Sequence, residues 1–141
     1  MKRRALLFGF TAWFPGRAGE PRVIDVFTDM AASLTDGDAA GFMRPFDPAM
    51  PGVDTLRARV EALVSQAEVL SSIEFLSNEG DGASRAVELD WKMQLRERRE
   101  AGRVFQRRQA VKCRLERRGR KWQITAFEAS DLFAPPGPGR V

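Results

Sequence analysis

Histidine and tyrosine are absent from the 141 residues, and cysteine occurs once, at Cys113. Without histidine the chain lacks the commonest general base and metal ligand. Without tyrosine it lacks a phenol that often steadies an oxyanion. A single cysteine permits no internal disulfide and no cysteine-based metal site, so neither a metal nor any other cofactor is expected. Long hydrophobic runs are missing too. None approaches the roughly 20 apolar residues of a membrane-spanning helix, and no transmembrane segment is expected.

What remains is ordinary for one globular domain: hydrophobic residues make up 43% and charged residues 30% of the chain, enough for a single core. The first residues have a separate logic. Lys2, Arg3 and Arg4 precede a mostly apolar run from Ala5 to Phe14, which Pro15 and Gly16 break, and Gly16-Arg17-Ala18 offers small residues. That order is the recipe of a cleaved export signal over residues 1–18; the other reading is an N-terminal extension or a short core strand. With a signal, the protein is exported to a periplasmic or extracellular space, and otherwise it is cytoplasmic.

Cleavage after Ala18 leaves 19 basic residues against 19 acidic ones, so the high overall pI does not point to nucleic acid. Charge is still uneven. Residues 19–84 hold 4 basic and 12 acidic side chains, and residues 85–121 hold 14 basic and 5 acidic ones. Two solvated surfaces of opposite sign account for this, as does steering of an anionic partner.

Helical spacing marks Val23, Phe27, Met30, Ala31 and Leu34, after Pro21 and before the stop at Thr35-Asp36-Gly37. Asp38 is placed to cap a short helix carrying Ala39, Phe42 and Met43. Pro45, Pro48 and Pro51 make a loop, with Phe46 tucked against the core. Asp54 is a candidate cap for a third helix with the stripe Leu56, Val60, Leu63, Val64 and Ala67. A strand from Glu68 to Ser77 follows without clean alternation. Then Val87, Leu89, Trp91, Met93 and Leu95 alternate with Glu88, Asp90, Lys92, Gln94 and Arg96, which is a half-buried strand. A charged hairpin over Glu97–Gly102 leads to a partner strand, Arg103–Glu116, with Phe105, Val111, Cys113 and Leu115 on one face. Arg117–Arg120 turns the chain into a last strand from Lys121 to about Ser130, with Trp122, Ile124 and Ala126 inward. The tail 134–141 has a disordered composition. The fold class is α+β: N-terminal helices packed into the concave face of a curved antiparallel sheet, in one domain over residues 19–133.

Leu34-Thr35-Asp36-Gly37-Asp38, the short helix Ala39 to Arg44, Phe46-Asp47-Pro48, Lys121-Trp122-Gln123-Ile124 and Asp131-Leu132-Phe133 carry a resemblance to the nuclear transport factor 2-like (ketosteroid-isomerase-like, SnoaL-like, cystatin-like cone) superfamily. It covers about Pro21 to Phe133. The resemblance implies helices packed into a strongly curved sheet, with a pocket at the wide end of the cone. Some members are isomerases, dehydratases, cyclases or hydrolases, and others bind or assemble without catalysis. The enzymes typically use paired His, Asp, Tyr or Arg in the pocket, and this chain departs from that pattern. Many relatives dimerise through the outer sheet face. Here that face reads Glu88, Asp90, Lys92, Gln94, Arg96, Arg108, Lys112 and Arg114, so a monomer or weak dimer is expected.

Counting from the turns gives a register. The first hairpin sets Trp91 opposite Gln109, Met93 opposite Arg107, Leu95 opposite Phe105 and Glu88 opposite Lys112. A tight second turn sets Trp122 opposite Leu115, Ile124 opposite Cys113 and Ala126 opposite Val111, with Glu128 beside Gln109 and Ser130 beside Arg107. The inward face would then change from core to a polar cluster of Arg107, Gln109, Glu128 and Ser130, flanked by Trp91, Met93 and Phe105. Apolar walls with a few convergent polar groups suit a small-molecule site. Arg107 could hold a carboxylate or an enolate-like oxygen, and Glu128 could act as a base. A structural Arg107–Glu128 ion pair fits the same register, and a bulge in either strand would dissolve the cluster.

The expected function is an exported, non-catalytic domain that binds a small molecule or a protein partner through the open end of its cone. The alternatives are an isomerase- or cyclase-like enzyme using Glu128 and Arg107, and a binder of anionic surfaces. That last reading uses the hairpin bearing Arg96, Arg98, Arg99 and Arg103, for which a solvated loop is the default.

Overall fold

The computed structural model describes residues 22–129 and 131–137; the expected signal peptide, Pro21, Ser130 and the end of the tail lie outside them. Among the described residues no helix is long and apolar enough to cross a membrane. The apolar stripe that starts at Val23 forms α1, Val23–Thr35, and its buried residues are Val23, Phe27, Met30 and Leu34. Its open N-terminus is closed by the Asp25 carboxylate, which accepts from the Arg22 amide at 3.0 Å. Gly37, at φ +73°, takes the left-handed turn that ends it. Asp38 caps α2, Ala39–Met43, through a 2.9 Å bond from the Gly41 amide.

The third helix, α3, covers Val53–Gln66 and starts two residues earlier than expected from an Asp54 cap. Its cap position is Gly52, in the left-handed conformation at φ +80°, and Asp54 instead lies in the first turn, paired with Arg57 at 2.7 Å. Phe46 is buried as expected. The loop before α3 is stitched to the sheet: the Asp47 amide donates to the Ile124 carbonyl at 3.0 Å and the Ile124 amide to the Pro45 carbonyl at 2.9 Å.

Four strands follow in one antiparallel sheet ordered as in the sequence: β1 Ala67–Gly80, β2 Ser84–Glu97, β3 Val104–Arg118 and β4 Lys121–Glu128. The sheet is curved and open, with the helices before it. In β1 the pairing slips between Phe75 and Ser77. The extra residue, Leu76, is 53% exposed, which explains why the alternation there reads poorly. The β2–β3 register matches the expectation at every pair, including Trp91 with Gln109, Met93 with Arg107 and Glu88 with Lys112. The core joins one face of each helix to the inner sheet face: Phe27, Met30, Leu34, Phe42, Val60 and Leu63 meet Leu89, Trp91, Leu95, Val111, Leu115 and Ile124.

The β3–β4 register is a correction. Cys113 pairs with Phe127 and Lys112 with Glu128, while Leu115 pairs with Ile124 and Arg117 with Trp122. Two causes combine. The turn is tighter than counted, leaving only Gly119 and Arg120 between paired Arg118 and Lys121. A bulge then falls between Arg114 and Leu115 on the β3 side, where Thr125 is the extra residue on β4. The bulge reverses the parity of everything after it. Ala126, expected inward, is exposed opposite Arg114, and Phe127 turns in to pack on Phe46 at 5.0 Å between ring centroids.

Candidate functional site at the open end of the cone

The bulge decides what the inner face can do. Glu128 is exposed beside Lys112 on the outer face, so it does not stand beside Gln109 and forms no pair with Arg107. Ser130 lies outside the described residues. The expected Arg107–Gln109–Glu128–Ser130 cluster therefore reduces, among the described residues, to half-buried Arg107 and Gln109. Trp91 and Met93 are buried beside them, and Phe105 is half-buried. The Arg107 guanidinium sits 5.6 Å from the centre of the Phe105 ring.

No β4 residue pairs with β3 on the N-terminal side of Lys112. The chain after β4 covers that stretch instead. Two local bonds shape it into turns, from the Leu132 amide to the Ala129 carbonyl at 3.0 Å and from the Ala134 amide to the Asp131 carbonyl at 3.1 Å. These turns drive Leu132 and Phe133 into the core, at 3% and 1% exposure. Arg107 fastens the segment. Its Nη1 donates to the Leu132 carbonyl at 2.9 Å, to the Asp131 carbonyl at 3.5 Å and to the Ala134 carbonyl. Burial pushes the guanidinium pKa below its ordinary value, with the nearby Asp131 charge opposing that.

Phe133 enters an aromatic box. Its ring centroid is 5.1 Å from those of Trp91 and Phe42 and 5.8 Å from that of Phe127. The only polar atom of Trp91 is satisfied, because its indole N–H donates to the Ser71 hydroxyl at 2.6 Å. Beside the box remains a recess of about 300 Å³ lined by Met50, Thr55, Leu56, Arg59, Phe127 and Ala129. Phe127, Phe133 and Leu132 are the site residues missed in the sequence. The first was hidden by the parity reversal. The others stood at the end of the family-like pattern with nothing local to aim them inward.

Carboxylates with shifted pKa values lie elsewhere. Asp90 is buried against Arg108 across the outer face, at 2.7 and 3.1 Å, and that pairing lowers its pKa. Glu97, expected in a solvated hairpin, is buried. It accepts from the Arg103 guanidinium at 2.7 and 3.1 Å, the Arg103 amide at 3.0 Å and Arg99 at 3.1 Å, and its pKa falls to about 2. Arg98 is tied as well, donating to the Val64 carbonyl at 3.1 Å. Burial raises the Cys113 thiol pKa, which keeps it an unreactive thiol. No group of three or more His, Cys, Asp or Glu side chains among the described residues is placed to hold a metal.

No family profile and no curated protein matches the sequence. Solved structures do match in shape. A conserved protein from Planctomyces limnophilus superposes with a TM-score of 0.67 at 12% identity, over 74% of this chain and 89% of that one. A nuclear transport factor 2-like superfamily protein from Salmonella enterica gives 0.59 at 10% identity, over 82% and 89%. A protein from Novosphingobium aromaticivorans named as a candidate scytalone dehydratase gives 0.67 at 10% identity, over 84% and 93%. The fold is the nuclear transport factor 2-like cone. At these identities the likeness concerns the fold alone, and fold does not choose a function. This cone differs from an open pocket in one respect: Phe133 of the same chain fills the space between Trp91, Phe42 and Phe127.

Proposed function

We propose that this nuclear transport factor 2-like cone is an exported, non-catalytic binding domain that takes up the apolar part of a small molecule or protein partner at its open end. The carrying observation is the makeup of that end, where an aromatic box and one arginine converge without a carboxylate side chain aimed among them in the described residues. Apolar walls with a single orienting charge favour binding, whereas acid–base chemistry needs a second titratable group in reach.

The isomerase or cyclase reading needs Glu128 within reach of Arg107, and the bulge at Thr125 argues against it. Binding of anionic surfaces by the hairpin is weakened by the internal bonds of Arg98, Arg99 and Arg103. The test is a nuclear magnetic resonance titration of the mature chain with a library of small aromatic and aliphatic molecules. Saturable shifts of the Trp91 indole N–H, unaffected by Glu128→Gln, are expected. Shifts confined to the outer sheet face would refute the reading, as would turnover that Glu128→Gln abolishes.

A further inference from the structure

Arg107 is used incompletely. A guanidinium presents five donors in a planar fork suited to two carboxylate oxygens. Here its bonds within the described residues all leave from Nη1, to three carbonyl oxygens, while Nε and Nη2 have no protein acceptor there. None of the salt bridges among the described residues includes Arg107. Asp131, the nearest acid in the chain to those carbonyls, has its carboxylate turned to Arg59 at 3.3 Å. Among the described residues this half-buried cation thus donates only to neutral carbonyls, though it stands at the rim of an aromatic box.

The segment that fills the box is lightly attached. It pairs with no strand, its own backbone bonds are two local turns, and it is held by Arg107, by the exposed Arg59–Asp131 pair and by burial of Leu132 and Phe133. Segments with few backbone partners open at low cost relative to the rest of a domain. Leu132 and Ala134, whose carbonyls Arg107 holds, flank Phe133 directly. Ring and oxygens therefore reach the site together, as the two ends of one small molecule would.

We propose that Phe133 and its flanking carbonyls are an internal stand-in for an aryl-alkyl carboxylate. The ligand's ring would replace Phe133 between Trp91, Phe42 and Phe127, and its carboxylate would replace the carbonyl oxygens on Arg107. Binding then requires release of residues 131–137, so the C-terminal segment competes with the ligand and sets its apparent affinity. This inference rests on the reading of the open end as a binding site and adds the ligand class and the competitor.

The experiment uses the full chain and 3-phenylpropanoate, with 3-phenylpropan-1-ol as the neutral control. Calorimetry gives affinity, and hydrogen exchange follows residues 131–137. Phe133→Ala, with the fold checked by circular dichroism, is expected to bind the acid about tenfold or more tighter than the unchanged chain. Adding Arg107→Gln should weaken the acid by about tenfold or more and leave the alcohol unchanged. Arg107→Gln alone, which retains Phe133, should speed exchange at 131–137 without ligand. Equal affinity of acid and alcohol for Phe133→Ala overturns the proposal, and so does unchanged exchange in Arg107→Gln. Tight acid binding by Phe133→Ala, with the unchanged chain taking up nothing at its open end, upholds the stand-in and overturns the binding role. Saturable uptake of other molecules at the open end without preference for the acid does the reverse.

Discussion

The ring of Phe133 meets that of Trp91 edge to face, with centroids 5.1 Å apart and planes at 88°. This is the favoured arrangement of an aromatic pair, and it joins the last described segment of the chain to the centre of β2. Both side chains are buried. The segment is thus part of the core although no strand holds it.

Truncating Phe133 should therefore behave as a core deletion. Phe133→Ala is expected to lower unfolding stability by about 3–5 kcal/mol, the range for emptying a buried aromatic site. Urea unfolding of the two chains measures it. A loss below about 1 kcal/mol would mean that the ring is not packed in the folded protein.

Glu97 makes stability depend on acid in a definite direction. Its folded pKa is lowered to about 2 by the Arg103 and Arg99 bonds, from an ordinary 4.5. A carboxylate with a depressed folded pKa stabilises fully above its unfolded pKa, and that contribution is lost as pH falls through the folded one. The stability difference between the unchanged chain and Glu97→Gln should be constant above about pH 5 and shrink between pH 4.5 and 2. Urea midpoints across that range test it. A difference unaffected by acid would show that the hairpin is held by something other than the Glu97 charge.

Most of the fold was legible because it is written in periodicity. Val23, Phe27, Met30 and Leu34 specify one helix face, and the ten alternating residues from Val87 to Arg96 specify β2 and its partner so strongly that the whole β2–β3 register followed. The candidate site was less legible for a physical reason. One extra residue, Thr125, reverses which side chains face in, and Ala126 is small enough to sit on either face without penalty. Phe127 was the better inward residue on size alone, but alternation from Trp122 and Ile124 pointed past it. The inward course of Leu132 and Phe133 depends on Arg107, 24 or more positions earlier, a tertiary bond that no local pattern announces.

The bulge itself can be tested with Glu128. In the register counted from the turns, Glu128 would lie beside Gln109 and within reach of a buried ion pair with Arg107, and removing one partner of such a pair costs about 3–5 kcal/mol. In the observed register it is an exposed side chain opposite Lys112. Glu128→Gln should leave the urea midpoint within experimental error of the unchanged chain, while Arg107→Gln should lower it by loosening residues 131–134. Equal and large losses for both substitutions would restore the paired register.

The outer face of the sheet carries the last prediction. Glu88, Lys92, Arg96, Arg108, Lys112 and Arg114 lie on it across paired β2 and β3, and its buried acid, Asp90, is already bonded to Arg108 at 2.7 Å. A stable interface core is depleted in charge, so pairing two such faces would desolvate many ions without an apolar centre to offset the cost. Leu70 and Val104 are exposed, but they lie on different strands that β2 separates. Light scattering of the protein should therefore give a monomer, or a weak dimer that dissociates as salt screens its contacts. A tight dimer that survives 1 M salt, where the Debye length is about 3 Å, would mean that association uses another surface or rearranges this one.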